Sequence, residues 1–204
     1  DHKKRFNRLT IKPIMNKIII LITLIFAMPA VAEVYKSKFG SSVKLDGDSS
    51  VHKWKVESKL VGGTIDVNVA ALGKPGKLDA KATVFIPVRS LKSGKKRMDE
   101  VMHAAMNAKK HSKIEFTLSE ITVKAAKGTL SQCDSKGTLK INGKTRPISM
   151  PITVSRAGDK LTVKGSITVK MTDYGIKPPS PKLPSGNIVP KDEVKIIFSW
   201  VTGK

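Results

Sequence analysis

From Leu161 to Met171 the chain alternates apolar and polar residues without a break. Leu161, Val163, Gly165, Ile167, Val169 and Met171 face one way, and Thr162, Lys164, Ser166, Thr168 and Lys170 the other. Successive side chains of an extended strand point to opposite faces, so eleven residues of strict period two predict a strand with one dry and one wet side. The pattern recurs. Leu78, Ala80, Ala82, Val84 and Ile86 form one run, Ile114, Phe116 and Leu118 another, and Val194, Ile196, Phe198 and Trp200 a third. Between Leu118 and Ile121 the apolar parity slips by one, which predicts a bulge.

Turn residues separate the runs. Asn142-Gly143 lies between Leu139-Lys140-Ile141 and Ile148 to Ile152, and predicts a two-residue hairpin loop whose central residues both need positive φ. Gly158-Asp159-Lys160 reads as a further turn, and Gly47-Asp48 and Gly62-Gly63 as bends. Pro147 and Pro151 cannot donate to a ladder, so their strand is expected to be an edge or a bulged one. One segment keeps a different period: Met98, Val101, Met102, Ala105 and Met106 recur at three and four, predicting an amphipathic helix within Lys95 to Ala108. About eight short strands and one helix suit an antiparallel barrel or sandwich. Residues 177–190 hold five prolines and read as a long irregular loop of the kind that often carries function.

Residues 15–32 have the parts of a secretory leader. Lys17 is followed by eleven uncharged residues, Ile18 to Met28, and by the small-x-small site Ala30-Val31-Ala32. A membrane helix needs about 20 apolar residues. The expectation is cleavage after Ala32 and a periplasmic domain of residues 33–204. Residues 1–14 read as an upstream extension outside the fold. The whole chain carries a formal charge of +22; its first 32 residues hold six Lys/Arg and one acid, leaving +17 on residues 33–204. Such a charge favours anionic membrane surfaces and acidic polymers as partners. Cys133 is the one cysteine, so no intrachain disulfide can form.

Catalytic and metal signatures are missing from the sequence. It contains no nucleophile elbow, no phosphate-cradling glycine loop and no zinc spacing. Asp99 and Glu100 are neighbours on the expected helix and point apart. His103 and His111 have no carboxylate or Cys at ligand spacing, and Lys109-Lys110 beside His111 would repel a cation. The expectation is a protein that is not an enzyme and has no cofactor. Aromatics make up 5% of the chain and fall mostly on apolar strand rows, which disfavours a stacking platform for nucleic acid.

Three blocks together resemble the YceI-like family of secreted lipid- and polyisoprenoid-binding proteins. Ser49-Ser50-Val51-His52-Lys53-Trp54 is similar to the Ser-x-x-His-x-Trp start of one branch. Arg97-Met98-Asp99-Glu100, followed by His111-Ser112-Lys113-Ile114-Glu115-Phe116, resembles the family's helix and strand entry, with Ser112 where Pro is usual. Gly137-Thr138-Leu139-Lys140-Ile141-Asn142-Gly143-Lys144-Thr145-Arg146-Pro147-Ile148 resembles its hallmark Gly-x-Leu-x-Ile-x-Gly-x-Thr-x-Pro-Val. Asp173-Tyr174-Gly175-Ile176 stands where the family has Asp-Phe-Gly-Ile, and Ala105-Met106-Asn107 replaces its Phe-Phe-Asp. The resemblance spans about Ser41 to Trp200. It implies an all-β fold: an extended antiparallel eight-stranded lipocalin-like barrel with one inserted amphipathic helix.

That resemblance also implies one long-chain amphiphile in the interior, such as a polyisoprenoid, an isoprenoid quinone or a fatty amide. Strand parity then nominates Val84, Ile86, Phe116, Leu118, Leu139, Ile141, Ile167, Val169, Ile196 and Phe198 as its apolar lining. Ala80, Ala82 and Gly165 would leave room. Met98, Met102 and Met106 form a helix stripe that can adapt to a chain. His52, Trp54 and Tyr174 are expected at the rim, with lysines steering a charged head. The competing reading is a basic interaction protein that docks on anionic surfaces and holds no internal ligand. The protein could act as a monomer or a homodimer.

Overall fold

The computed structural model describes residues 32–180, 182–183 and 186–204. The expected leader and the segment before it lie outside the described residues. In chain order the strands are β1 (Glu33–Ser37), β2 (Ser42–Ser49), β3 (Trp54–Ser58), β4 (Gly62–Val67), β5 (Gly76–Leu78) and β6 (Ala80–Pro87). After the helix α1 (Lys96–Ala105) come β7 (Lys113–Lys127), β8 (Leu130–Ile141), β9 (Lys144–Ala157) and β10 (Lys160–Lys170). A small hairpin, β11 (Lys182–Leu183) and β12 (Gly186–Asn187), precedes the long last strand β13 (Pro190–Gly203).

The sheet closes. Its order runs β1-β4-β6-β7-β8-β9-β10-β13, and β13 returns to β1 through Lys36↔Gly203 and Ser37↔Thr202, giving an eight-stranded antiparallel barrel. β1 and β2 both pair with β13 and are two parts of one bent strand. β3 pairs with β2 and joins the wall beyond β6 by a bridge in which Glu57 and Lys92 exchange both backbone hydrogen bonds at 2.9 Å. Barrel closure removes the outer edges of the sheet, and one stretch of β9 stays unpaired on one side.

Local chemistry accounts for the element ends. Asn142 and Gly143 have φ of 49° and 74°, as the two-residue loop between β8 and β9 requires. The predicted parity slip is a register shift in the β7–β8 ladder between Leu118 and Glu120. The helix is shorter than the sequence pattern suggested. Asn107 adopts φ 50°, and its amide and that of Ala108 bond back to Ala104 and His103, which stops the helix before Ala108.

Two glycines expected at bends lie inside strands instead. Gly47 sits in β2 beneath the Trp54 indole, where a Cβ would fall 2.0 Å from the ring, and Gly62 lies in β4 beneath Phe85 in the same way. The turn between β2 and β3 is made by Ser50 to Lys53.

β9 was expected to be an edge or a bulged strand, yet it lies within the barrel between β8 and β10 and its ladders carry no register shift. The ladder explains how its prolines fit. β9 pairs with β8 along Ile141↔Lys144 to Leu130↔Ser155, but with β10 only from Lys160↔Ala157 to Gly165↔Ile152. The two-residue turn makes Ala157 and Lys160 a hydrogen-bonded pair, so odd-numbered β9 amides point toward β10. Pro147 and Pro151 thus place their missing donors on that side. Pairing stops at Pro151, leaving a seam in the wall between residues 144–151 and 166–170. The edge expectation therefore holds for one side of half the strand.

Inside, the barrel is filled in layers below its middle. Val154, Leu161, Val163, Trp200 and Thr202 are buried near one end, where Leu72 on a short 3₁₀ turn (Val69–Gly73) forms a plug. The Ser131 hydroxyl donates to the Leu72 carbonyl at 2.8 Å, and Trp200 Nε1 donates to Ser37 Oγ at 2.7 Å. Above this floor the Phe116 and Phe198 rings lie on Gly137 and Gly165. Gly165 therefore leaves no open space, since a Cβ there would meet Phe198 Cζ at 2.7 Å and Ile152 Cγ2 at 3.0 Å. Gly165→Ala is expected to cost about 1–3 kcal/mol by overpacking, read as a lowered denaturant midpoint at unchanged m-value. A midpoint equal to that of the parent would show that Phe198 moves aside freely.

Candidate functional site

The upper end of the barrel is hollow. A cavity of about 460 Å³ lies between the strand ends and α1, within the range of small-ligand sites. Leu45, Ile114, Ile141, Val169, Val194 and Ile196 form its walls. Met98, Val101, Met102, Ala105 and Met106 roof it, and Ser49 to Trp54, Met171 to Pro179 and Ile188 to Pro190 contribute to its rim. No Asp or Glu is among the described residues that border it, whereas Lys95, Arg97 and Lys170 are.

The structure brings nine of the sixteen nominated residues to this cavity: His52, Trp54, Met98, Met102, Met106, Ile141, Val169, Tyr174 and Ile196. Val84, Ile86, Phe116, Leu118, Leu139, Ile167 and Phe198 do not border it. Ile86 and Leu139 are buried in the core, Val84, Phe116, Leu118 and Phe198 pack against it, and Ile167 is half-buried on β10. Parity identified the inward face of each strand but not the height at which the interior empties. The glycines that receive Phe116 and Phe198 set that height.

The helix is seated by its outer face. Asp99 is buried, and its Oδ1 accepts from the Ser93 amide and hydroxyl, both at 2.7 Å. Lys92 Nζ lies 3.9 Å from Oδ2. His103, one turn on, is 3.0 Å from the Leu91 carbonyl through Nε2, which donates in the matching tautomer. Burial pushes the Asp99 carboxyl upward, but the Ser93 hydrogen bonds with Lys92 and His103 outweigh it and hold the pKa below the ordinary value.

A lowered folded-state pKa means that this contact contributes its full stability above the ordinary Asp range. That stability is lost as pH falls through the folded value. Asp99→Ala is expected to cost about 1–3 kcal/mol at neutral pH by leaving the Ser93 amide unpaired, and less in acid. Thermal melts at pH 7 and pH 3 check this; an equal cost at both would remove the charge from the account.

Rim groups divide into spent and free. Ser49 Oγ donates to the His52 carbonyl at 2.7 Å and accepts from the Val51 and His52 amides, which shapes the loop. Trp54 Nε1 donates to the Asp48 carbonyl at 3.2 Å, so the indole offers a ligand its apolar surface only. His52 is exposed. Tyr174 is 2% exposed on the 3₁₀ turn Thr172–Tyr174. That turn is fastened on two sides. Thr172 bonds the Asp192 carboxylate at 2.9 and 2.6 Å, while Asn142 Nδ2 donates to the Tyr174 carbonyl at 3.2 Å and Arg146 Nε to that of Asp173 at 2.9 Å.

Sequence reasoning missed several lining residues. Leu45 and Val194 keep the strand period and were within its reach. Val101 and Ala105 lie beside the methionine stripe. Pro179 and Ile188 come from irregular chain that has no period to read, and Pro190 opens β13 directly after it. Cys133 points inward on β8, 2% exposed, and burial, with Asp134 adding, pushes its thiol up to about 11. It is an inert core residue. Among the described residues no group of His, Cys, Asp and Glu could hold a metal ion.

Among solved structures, the chain is similar to BcnA of Burkholderia cenocepacia, with 22% identity and a TM-score of 0.62 over 79% of this chain and 95% of that one. It is also similar to a polyisoprenoid binding domain from Saccharophagus degradans implicated in plant cell wall breakdown, with 16% identity and a TM-score of 0.65 over 84% and 98% of the two chains. At these identities the likeness establishes the fold. A search of curated proteins returned no match. The model of the YceI-like domain matches residues 33–202, from the start of β1 to the penultimate residue of β13, and the chain belongs to that family.

Proposed function

We propose that this protein binds one long-chain amphiphile in the upper cavity, with an isoprenoid or other lipid tail against the aliphatic walls, and that it does so in the periplasm. The observation that carries the reading is a hollow, aliphatic barrel end under a methionine-bearing helix. Each buried methylene of a tail stabilises such a complex by about 0.8 kcal/mol, so a chain of modest length suffices for tight binding. Methionines adapt to differing tail shapes. The similar Saccharophagus degradans domain, described as polyisoprenoid binding, supports the ligand class. The sequence of residues 15–32 supports the compartment.

Native mass spectrometry of protein purified without detergent tests the proposal, followed by extraction of any bound lipid. The expected result is one lipid per barrel. A ligand-free protein that takes up neither a polyprenol, a quinone nor a fatty amide would refute it.

A second reading has its own support. Val51 and Val189 are 64% and 58% exposed beside the cavity mouth, next to Lys53 and Lys95, a surface suited to anionic membranes. Sedimentation with vesicles containing phosphatidylglycerol, compared with phosphatidylcholine alone, would separate docking from internal binding.

A further inference from the structure

Two of the cavity's polar side chains, Ser49 and Trp54, are engaged within the protein. Tyr174 differs. It is 98% buried by its 2% exposure, it borders the cavity, and its hydroxyl makes no hydrogen bond to any described residue. The other tyrosine, Tyr35, donates its hydroxyl to Glu33 Oε2 at 3.0 Å. The hydroxyl oxygen is nevertheless not sealed off: among the described residues the one fully buried side-chain atom without a partner is Asp66 Oδ1, so the Tyr174 oxygen keeps some accessible surface. The cavity is the open space that Tyr174 borders, so this free donor is available to whatever enters it.

The cations fix the character of an acceptor there. Lys95, Arg97 and Lys170 border the same cavity, and no carboxylate does among the described residues. A neutral head would leave this one-sided charge without a purpose, whereas an anionic oxygen acid meets both the donor and the field. We propose that Tyr174 is a ligand-facing donor and that the cavity selects a long-chain amphiphile whose head is an anionic oxygen acid, a carboxylate or a phosphate. This rests on the cavity being the binding site. Burial first, with Asp173 adding, raises the Tyr174 pKa against a smaller opposing effect of Arg146, which keeps the phenol a donor across the neutral range. Its carbonyl is held by Asn142 and its amide bonds to Met171, so the turn carrying the hydroxyl stays in place when a ligand enters.

The test crosses two proteins with three probes: oleate, farnesyl phosphate and 1-octadecene, each bound to the wild type and to Tyr174→Phe by competition against a fluorescent fatty acid. The expected loss in Tyr174→Phe is about ten- to a hundredfold for an acidic probe, the range of one hydrogen bond to a charged group. The hydrocarbon, which has no acceptor, should bind both proteins alike. Whichever acidic probe shows the loss identifies the head as carboxylate or phosphate. Equal affinities of the two proteins for both acids would overturn the role of Tyr174 while leaving cavity binding intact. An equal loss for all three probes would likewise overturn it, as a packing effect. If the wild type binds none of the three, the cavity reading fails with it. Tyr174→Met, which also lacks the hydroxyl, carries the same comparison if the phenylalanine variant does not fold.

Discussion

Replacing Ala105 with Trp is expected to abolish lipid binding while the melting temperature holds or rises. Ala105 ends α1 and borders the cavity with its methyl group. An indole there would turn into empty aliphatic space, and an aromatic side chain buries about 150–250 Å². Helix propensity costs little, below about 0.7 kcal/mol. Burial of the ring in a dry cavity offsets that. A ligand that gives up six methylenes of contact loses about 5 kcal/mol, which is more than a thousandfold in affinity. Titration with a fluorescent fatty acid and a thermal melt are the two measurements. Retained binding at full stability would place the ligand elsewhere on the protein.

Leu161→Ala is expected to do the opposite. Leu161 is fully buried at the floor, opposite Thr202 on β13 and Arg156 on β9. Truncating such a residue costs about 2–5 kcal/mol, because the removed contacts are lost and the void only partly collapses. For a domain of this size that is about 5–15 °C in melting temperature. Binding by the folded fraction should not change. The register stacks Trp200 with Val163 and Phe198 with Gly165 above the mutated layer, and only above those do Ile196 and Val169 meet the cavity. A matched fall in affinity would show that floor and cavity move together.

These contrasting expectations also mark what could be read from the chain alone. Period-two runs identify strands because pleating is local, so the inward rows on β7, β8, β10 and β13 were legible. So were the hairpin at Asn142-Gly143 and the parity slip after Leu118. Gly47, Gly62 and Gly165 were misread, as bends or as spare room. Each in fact receives an aromatic ring from another strand, a contact between residues that sequence order does not bring together. Cavity depth depends on those same rings. Val84 and Val169 are alike in sequence pattern, yet only Val169 borders the hollow end. The helix face was legible from its methionines, whereas its seat on Ser93 through Asp99 was not, because a buried acid and an exposed one look alike in sequence.

The seam between β9 and β10 bears on how the molecule meets copies of itself. A strand with unpaired amides and carbonyls is a template for a further strand, and barrels usually avoid this by complete closure. Here the β9–β10 pairing ends before residues 144–151, so a stretch of strand edge persists on that side of β9. Pro147 and Pro151 are exposed on it, and at two of its positions no amide exists to recruit a neighbour. Lys144 and Arg146, both exposed, add like charge for any approaching copy. The imperfection in the barrel is thus guarded by the residues that create it, and strand-to-strand pairing with another copy is disfavoured along this seam.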